Sequence, residues 1–128
     1  MAFEARAAVV IGILLPVLET YRRGIGYWRV EFTTMFEDYL AGVLLLTAVW
    51  AAYRQWASRN ALLLLAWAWV TGMMTISLVD QIEVTVRGVD LEPRNTDVLI
   101  AKCLLFAVSA AALVRSFSRV RSQSPPSR

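Results

Sequence analysis

Residues 61–79 read ALLLLAWAWVTGMMTISLV and contain no charged side chain. A helix needs about 20 mostly apolar residues to cross the hydrocarbon core of a bilayer. Arg59 and Asp80 stand on the two sides of this run, which predicts that both of its ends reach water. The run therefore predicts a transmembrane helix, and it decides the class of fold for the chain around it.

The composition extends this prediction to the whole chain. Of the 128 residues, 58% are hydrophobic and the mean hydropathy is +0.53, whereas soluble domains are about 45–50% apolar even when glycine is included. Further apolar runs lie on both sides of the first, and the predicted helices span about 4–21, 35–57, 61–80 and 96–114. The sequence thus predicts an all-α integral membrane protein in which residues 1–114 form a four-helix transmembrane bundle.

The two ends of the chain are interpreted separately. Arg6 precedes the short apolar run Ala7–Leu18, as in a signal peptide, but no small-x-small cleavage site follows the run, so we expect this helix to be retained. Pro16 predicts a kink inside it, because proline lacks a backbone donor and crowds the preceding turn. Residues 115–128 are rich in Arg, Ser and Pro, which predicts a disordered basic tail in the cytoplasm.

Two connecting segments alternate apolar and polar residues with a period of two. Residues 28–32 read WRVEF, and residues 82–92 read IEVTVRGVDLE. Alternating β-branched and aromatic residues are typical of strands. Both segments follow odd-numbered helices and emerge on the same side, so they predict a small extracytoplasmic β cap. The alternative is an interfacial loop for the first segment and an extension of the third helix for the second.

The distribution of arginine predicts the orientation. The side of a membrane protein whose short loops carry more Lys and Arg faces the cytoplasm. One side carries Arg6, Arg54, Arg59, Arg115, Arg119, Arg121 and Arg128, opposed only by Glu4. The other side carries Arg22, Arg23, Arg29, Arg87 and Arg94 together with the remaining acidic residues. We therefore expect both termini to be cytoplasmic and the protein to lie in a cell (inner) membrane.

Charged residues near the outer ends of the predicted helices form the candidate ligand or ion site. They are Glu19, Arg22, Arg23, Asp38, Asp80 and Lys102. Ionisable groups at membrane depth are costly and indicate function by default. If these residues converge, Lys102 pairs with carboxylates in a polar pocket suited to an ion, a proton or a small headgroup. If they do not, they are interface charges and helix-cap residues.

Arg22 and Arg23 leave two interpretations open. Their guanidinium groups could form a fork for a phosphate or carboxylate headgroup, because arginine binds such groups in bidentate fashion. They could instead form ion pairs with Glu19, Glu37 or Asp38 across the helix ends.

Small residues predict surfaces for close helix packing. Gly12 follows Ala8 by four residues, Ala107 precedes Ala111 by four, and Gly42 shares a helix face with Asp38. Small residues at this spacing let two helices approach closely in a membrane.

The residue types that the chain contains exclude several classes of function. The chain has no His and one Cys, which excludes imidazole metal sites, catalysis that needs histidine, and an internal disulfide. We expect no cofactor, no metal and no nucleic-acid partner, and the chain has no evident catalytic motif. The leading hypothesis is a protein that acts by association, as an accessory subunit or as a self-associating module, with the bilayer and a homo-oligomer or larger membrane complex as partners. The alternatives are a small ion- or proton-coupled transporter or channel, and a membrane enzyme that acts on a lipid or isoprenoid.

Overall fold

The chain forms an all-helical bundle in the computed structural model, which describes residues 2–30, 32–88 and 95–123. The α-helices are α1 (Phe3–Arg23), α2 (Phe32–Tyr53), α3 (Arg59–Arg87) and α4 (Asn95–Gln123). A 3₁₀ helix, Ile25–Arg29, connects α1 to α2. Each helix packs against its neighbours in the chain, and α1 and α4 close the ring through the smallest of these interfaces. We call the end where α1 begins and α4 ends the basic end, and the opposite end the acidic end.

The core of the bundle surrounds Trp67. This side chain is fully buried and packs in one cluster with Ala8, Leu45, Val70 and Ala112, so that every α-helix contributes to the core. The indole Nε1 of Trp67 donates a hydrogen bond to the backbone carbonyl of Glu4 at 3.2 Å. A buried indole donor needs such a partner. Alanines from all four α-helices belong to this cluster, and their small side chains leave room for the large one.

Helices α1 and α2 approach most closely at two glycines. A Cβ atom built on Gly42 would lie 2.7 Å from the carbonyl oxygen of Gly12, and one built on Gly12 would lie 3.2 Å from the Cβ of Leu45. Pro16, one turn beyond Gly12, has no N–H to donate to that carbonyl. The Gly12 carbonyl therefore loses its helical partner at the point where α2 passes closest. Gly12 and Gly42, both predicted as packing residues, lie against each other inside one chain.

Three of the helices are long and apolar enough to cross a membrane. These candidate spans are Met35–Tyr53, Arg59–Arg87 and Asn95–Ser122. Large apolar side chains such as Ile76 and Val86 are more than 70% exposed on the outside of the bundle. Helix α1 has 21 residues and carries charged residues at both ends, as the sequence indicated. Pro16 lies inside it, and the predicted kink stays a prediction.

The structure does not support the predicted β cap. Residues 82–87 belong to α3, which ends at Arg87 where Gly88 adopts the left-handed conformation and donates its N–H to the carbonyl of Val84. The competing signal was the helical spacing of Ser77, Gln81 and Thr85. These polar residues recur every four positions and face α4, and an extended third helix satisfies them. The alternation at residues 89–92 lies outside the described residues.

The described residues of the first predicted strand, 28–32, form no strand either. Residues Ile25–Arg29 form the 3₁₀ helix, and α2 begins at Phe32. The ring of Trp28 lies 5.0 Å from that of Tyr39 and 5.8 Å from that of Phe32, centroid to centroid. These aromatic contacts hold the connection against the side of α2. A strand at this position would have no neighbouring strand to pair with.

Helix α4 is longer than predicted and extends into the segment for which the sequence predicted a disordered tail. The helix continues through residues 115–123, while residues 124–128 lie outside the described part of the chain. Ser116 is 2% exposed, and Arg119 forms an ion pair with Glu4 of α1. Contacts with α1 therefore stabilise a segment whose composition alone favours disorder.

Candidate functional site

The acidic end of the bundle holds a cluster of charged side chains around Glu19. The Glu19 side chain is 12% exposed and forms ion pairs with Arg23 and with Arg22, whose Nε lies 3.9 Å from a carboxylate oxygen. Beside it, the hydroxyls of Thr20 and Tyr39 share a hydrogen bond of 2.7 Å between α1 and α2. The two arginines thus lie against Glu19, one of the partners that the sequence offered them.

Asp38 brings α2 into the same cluster. Its side chain is half-buried near the start of α2. The charges of Glu19, Arg22, Arg23 and Glu37 all act on it electrostatically. Two carboxylates and two guanidinium groups from α1 and α2 therefore share one region at the acidic end.

Lys102 joins the cluster from α4 through a polar seam with α3. Its ammonium Nζ donates to the side-chain oxygen of Gln81 at 3.0 Å and to the backbone carbonyl of Ser77 at 3.2 Å. The Gln81 amide in turn donates to Asn95, and the Asn95 amide donates to Thr85 at 3.0 Å. This chain of hydrogen bonds runs along the α3–α4 interface and gives each side chain a partner that lipid could not provide.

The cluster brings the six predicted site residues to one end of the bundle, with Asp80 at its edge. Lys102 feels the charges of Arg22, Asp80, Glu19 and Arg23, so the charges of α1 and α4 lie within electrostatic range of each other. Asp80 is exposed on α3 and stands at the edge. The hydrogen bonds of Lys102 go to Ser77 and Gln81 instead of to a carboxylate, which differs from the pairing that the sequence suggested. Among the described residues, no group of three or more His, Cys, Asp or Glu could hold a metal ion.

A second charged site at the basic end was missed by the sequence analysis. Glu4 is 1% exposed, and its carboxylate forms an ion pair with Arg119, which is half exposed. The buried Oγ of Ser116 lies beside this pair without a hydrogen-bond partner among the described residues. The signal was the spacing of Glu4, Ala8, Ile11 and Leu15, since residues about one and two turns apart share a helix face. Ala8, Ile11 and Leu15 are core residues, so the carboxylate of Glu4 on the same face lies inside the bundle.

Ala107, the remaining predicted packing residue, does not pack within the chain. It lies exposed on α4. Only 11% of the apolar stretch of α4 is buried, compared with 28% for α3 and 33% for α2. The face of α4 that carries Ala107 is therefore open to whatever surrounds the bundle.

These features define the class of the molecule. An all-helical bundle with three candidate spans and apolar side chains on its outer surface is a membrane protein with transmembrane helices. Comparison with protein-family models, with curated proteins and with solved structures found no significant match to this chain.

Proposed function

We propose that this is a small multi-pass protein of the inner membrane that acts by association, as an accessory subunit of a larger assembly or as a self-associating module. The observation that carries the proposal is the open face of α4, of whose apolar stretch only 11% is buried. In this proposal all four helices cross the bilayer and both termini are cytoplasmic.

The chemistry of the α4 face supports contact with another helix. Cys103, Ala107 and Ala111 are exposed and follow one another at intervals of four residues, so they form a shallow stripe on one face. Small residues in such a stripe allow two backbones to approach closely, and the packing and hydrogen bonds gained there drive association in lipid. Glu4, Glu19 and Lys102, by contrast, have their partners within the chain.

The experiment is a pair of matched substitutions. Ala107→Phe should weaken the native assembly by about tenfold, because roughly 1.4 kcal/mol of packing is lost when the stripe is filled. Ala68→Phe places the same side chain at an exposed position of α3 and should leave assembly unchanged. The fraction assembled is measured by single-molecule photobleaching in lipid vesicles. Equal behaviour of the two variants would contradict association through α4.

Cys103 separates the two forms of association. If two α4 faces meet in a homodimer, oxidation in membranes should join the Cys103 residues of two copies into a disulfide-linked dimer. If the α4 face binds a different subunit, oxidation gives no such dimer, and Ala107→Phe releases the copurifying subunit instead. The unchanged sequence suffices, since the chain has one Cys.

The charged cluster supports a second candidate, a transporter that couples proton or cation binding to movement. Glu19 of α1, Asp38 of α2 and Lys102 of α4 are half-buried and converge at one end of the bundle. Ionisable groups in such positions mark proton and ion paths in many transporters. Asp38→Asn should then abolish ion-coupled flux in proteoliposomes while assembly persists. Asp80→Asn should lose ion coupling as well, and Glu83→Gln, at an exposed carboxylate of α3 that is paired with Arg87, is the matched control.

A further inference from the structure

A cleft opens between α1 and α4, where the ring of helices closes through its smallest interface. Its volume is about 360 Å³ and its walls are apolar, formed by Phe3, Ala7, Val10 and Leu14 of α1 and by Leu104 and Val108 of α4. Val10 is 60% exposed and Leu104 is 63% exposed, so the cleft faces the surroundings of the bundle.

The length of the cleft matches one leaflet of a bilayer. From Phe3 to Leu14 the helix rises about 16 Å at 1.5 Å per residue. Half of a hydrocarbon core of about 30 Å is about 15 Å. The cleft therefore extends from the membrane surface at the basic end to the region of the bilayer midplane, the path that one lipid acyl chain follows.

The mouth of the cleft at the basic end is positively charged. Arg6 is part of the cleft lining, and the guanidinium carbon of Arg115 lies 5.5 Å from the centre of the Phe3 ring. Within the part of the chain that the structure describes, neither arginine forms an ion pair with a carboxylate. The nearby carboxylate of Glu4 is buried and paired with Arg119. Two guanidinium groups are therefore available where a lipid headgroup would lie.

We propose that this cleft is a binding site for one anionic phospholipid, with an acyl chain along the apolar walls and the phosphate held by Arg6 and Arg115. Guanidinium groups bind phosphate oxygens in bidentate fashion. A second copy of this chain fits the mouth poorly, because a symmetric parallel dimer would set the arginines of both copies against each other. The proposal requires that α1 and α4 both cross the membrane, and it is independent of the association proposed above.

Native mass spectrometry in detergent tests the proposal with phosphatidylglycerol and phosphatidylcholine as probes. The unchanged protein should retain one phosphatidylglycerol and prefer it over phosphatidylcholine by about 30-fold, since each arginine near an anionic headgroup contributes about fivefold. Arg6→Gln/Arg115→Gln should remove this preference. Arg59→Gln/Arg121→Gln removes the same charge at the same end away from the cleft and should retain the preference.

Ala7→Phe asks whether the acyl chain occupies the cleft. The added ring fills the apolar walls and leaves both arginines in place, so binding of either lipid should fall at least about tenfold. The arginine variants change only exposed positions and test the headgroup even if Ala7→Phe fails to fold. Three results would overturn the site: the same lipid preference in Arg6→Gln/Arg115→Gln as in the unchanged protein, gradual loss of many lipids in place of one retained lipid, or a lipid-free dimer that covers the cleft.

Discussion

At the scale of single residues, the ion pair of Glu4 with Arg119 joins α1 to α4 around a buried charge. The carboxylate is buried and the arginine is half exposed, so Arg119 neutralises a charge that water cannot reach. Arg119→Ala should lower the free energy of unfolding by about 2–3 kcal/mol, because removal of one partner leaves a buried charge uncompensated. Unfolding in mixed detergent micelles, followed by circular dichroism, measures this loss.

Two further variants isolate the cause. Arg121→Ala removes an exposed arginine from the same end of α4 and should change stability by no more than about 0.5 kcal/mol. In a Glu4→Gln background, Arg119→Ala should cost much less, since no buried charge then requires a partner. Equal losses in Arg119→Ala and Arg121→Ala would show that the pair contributes nothing.

At the scale of the helices, the crossing of α1 and α2 depends on the absence of side chains at two glycines. A methyl group on Gly42 would lie 2.7 Å from a backbone oxygen, whereas one on Gly12 would meet side-chain atoms at 3.2 Å and its nearest backbone oxygen, that of Gly42, only at 3.3 Å. A backbone oxygen cannot move out of such a close contact by rotation, as a side chain can. Gly42→Ala should therefore destabilise the bundle by about 1–3 kcal/mol, and Gly12→Ala should cost less. Detergent unfolding of the two variants measures the difference.

Gly72 provides the control for these variants. It lies on α3, and no atom stands within 4 Å of the position that its Cβ would occupy. Gly72→Ala should be neutral or stabilise by up to about 1 kcal/mol, because alanine favours the helix. If Gly42→Ala resembled Gly72→Ala, the close approach of α1 and α2 would not limit the packing.

The helices also show how far the sequence alone predicts the structure. Uninterrupted apolar runs such as residues 61–79 predict their helices well, because a period of 3.6 with no charged residue has one stable form in lipid. Residues 82–87 carry two conflicting signals. Their alternation of apolar and polar residues fits a strand, while the four-residue spacing of Gln81 and Thr85 fits a helix. Their partner Asn95 decides between the two, and it lies at the start of the next helix, α4.

The sequence predicted which residues belong to the candidate site better than it predicted which contacts they make. Glu19, Asp38 and Lys102 stand out in a sequence because charges near apolar runs are rare. Their partners depend on how the helices rotate against one another, which the sequence does not state. Lys102 bonds to Gln81 instead of to a carboxylate, and the burial of Glu4 follows from the packing of α1 against Trp67.

At the scale of the whole molecule, the arrangement of charges predicts how the bundle is oriented in a membrane. The basic end carries Arg6 of α1, Arg54 of the α2–α3 connection and Arg115, Arg119 and Arg121 of α4, all exposed, while the acidic end carries Glu19, Asp38 and Asp80. Short loops rich in arginine remain in the cytoplasm. The number of crossings depends on α1, which packs along α2 in the bundle but does not belong to the candidate spans.

Labelling of single cysteines in a Cys103→Ser background tests both orientation and crossing number. A membrane-impermeant maleimide added to intact cells should label Ile25→Cys, at the acidic end, and should label Ala2→Cys and Ser58→Cys only after permeabilisation. Labelling of Ala2→Cys and Ile25→Cys from the same side would show that α1 does not cross. Labelling of Ser58→Cys in intact cells would show the reverse orientation, and the mouth of the α1–α4 cleft would then lie in the outer leaflet, where the same two arginines would meet different lipids.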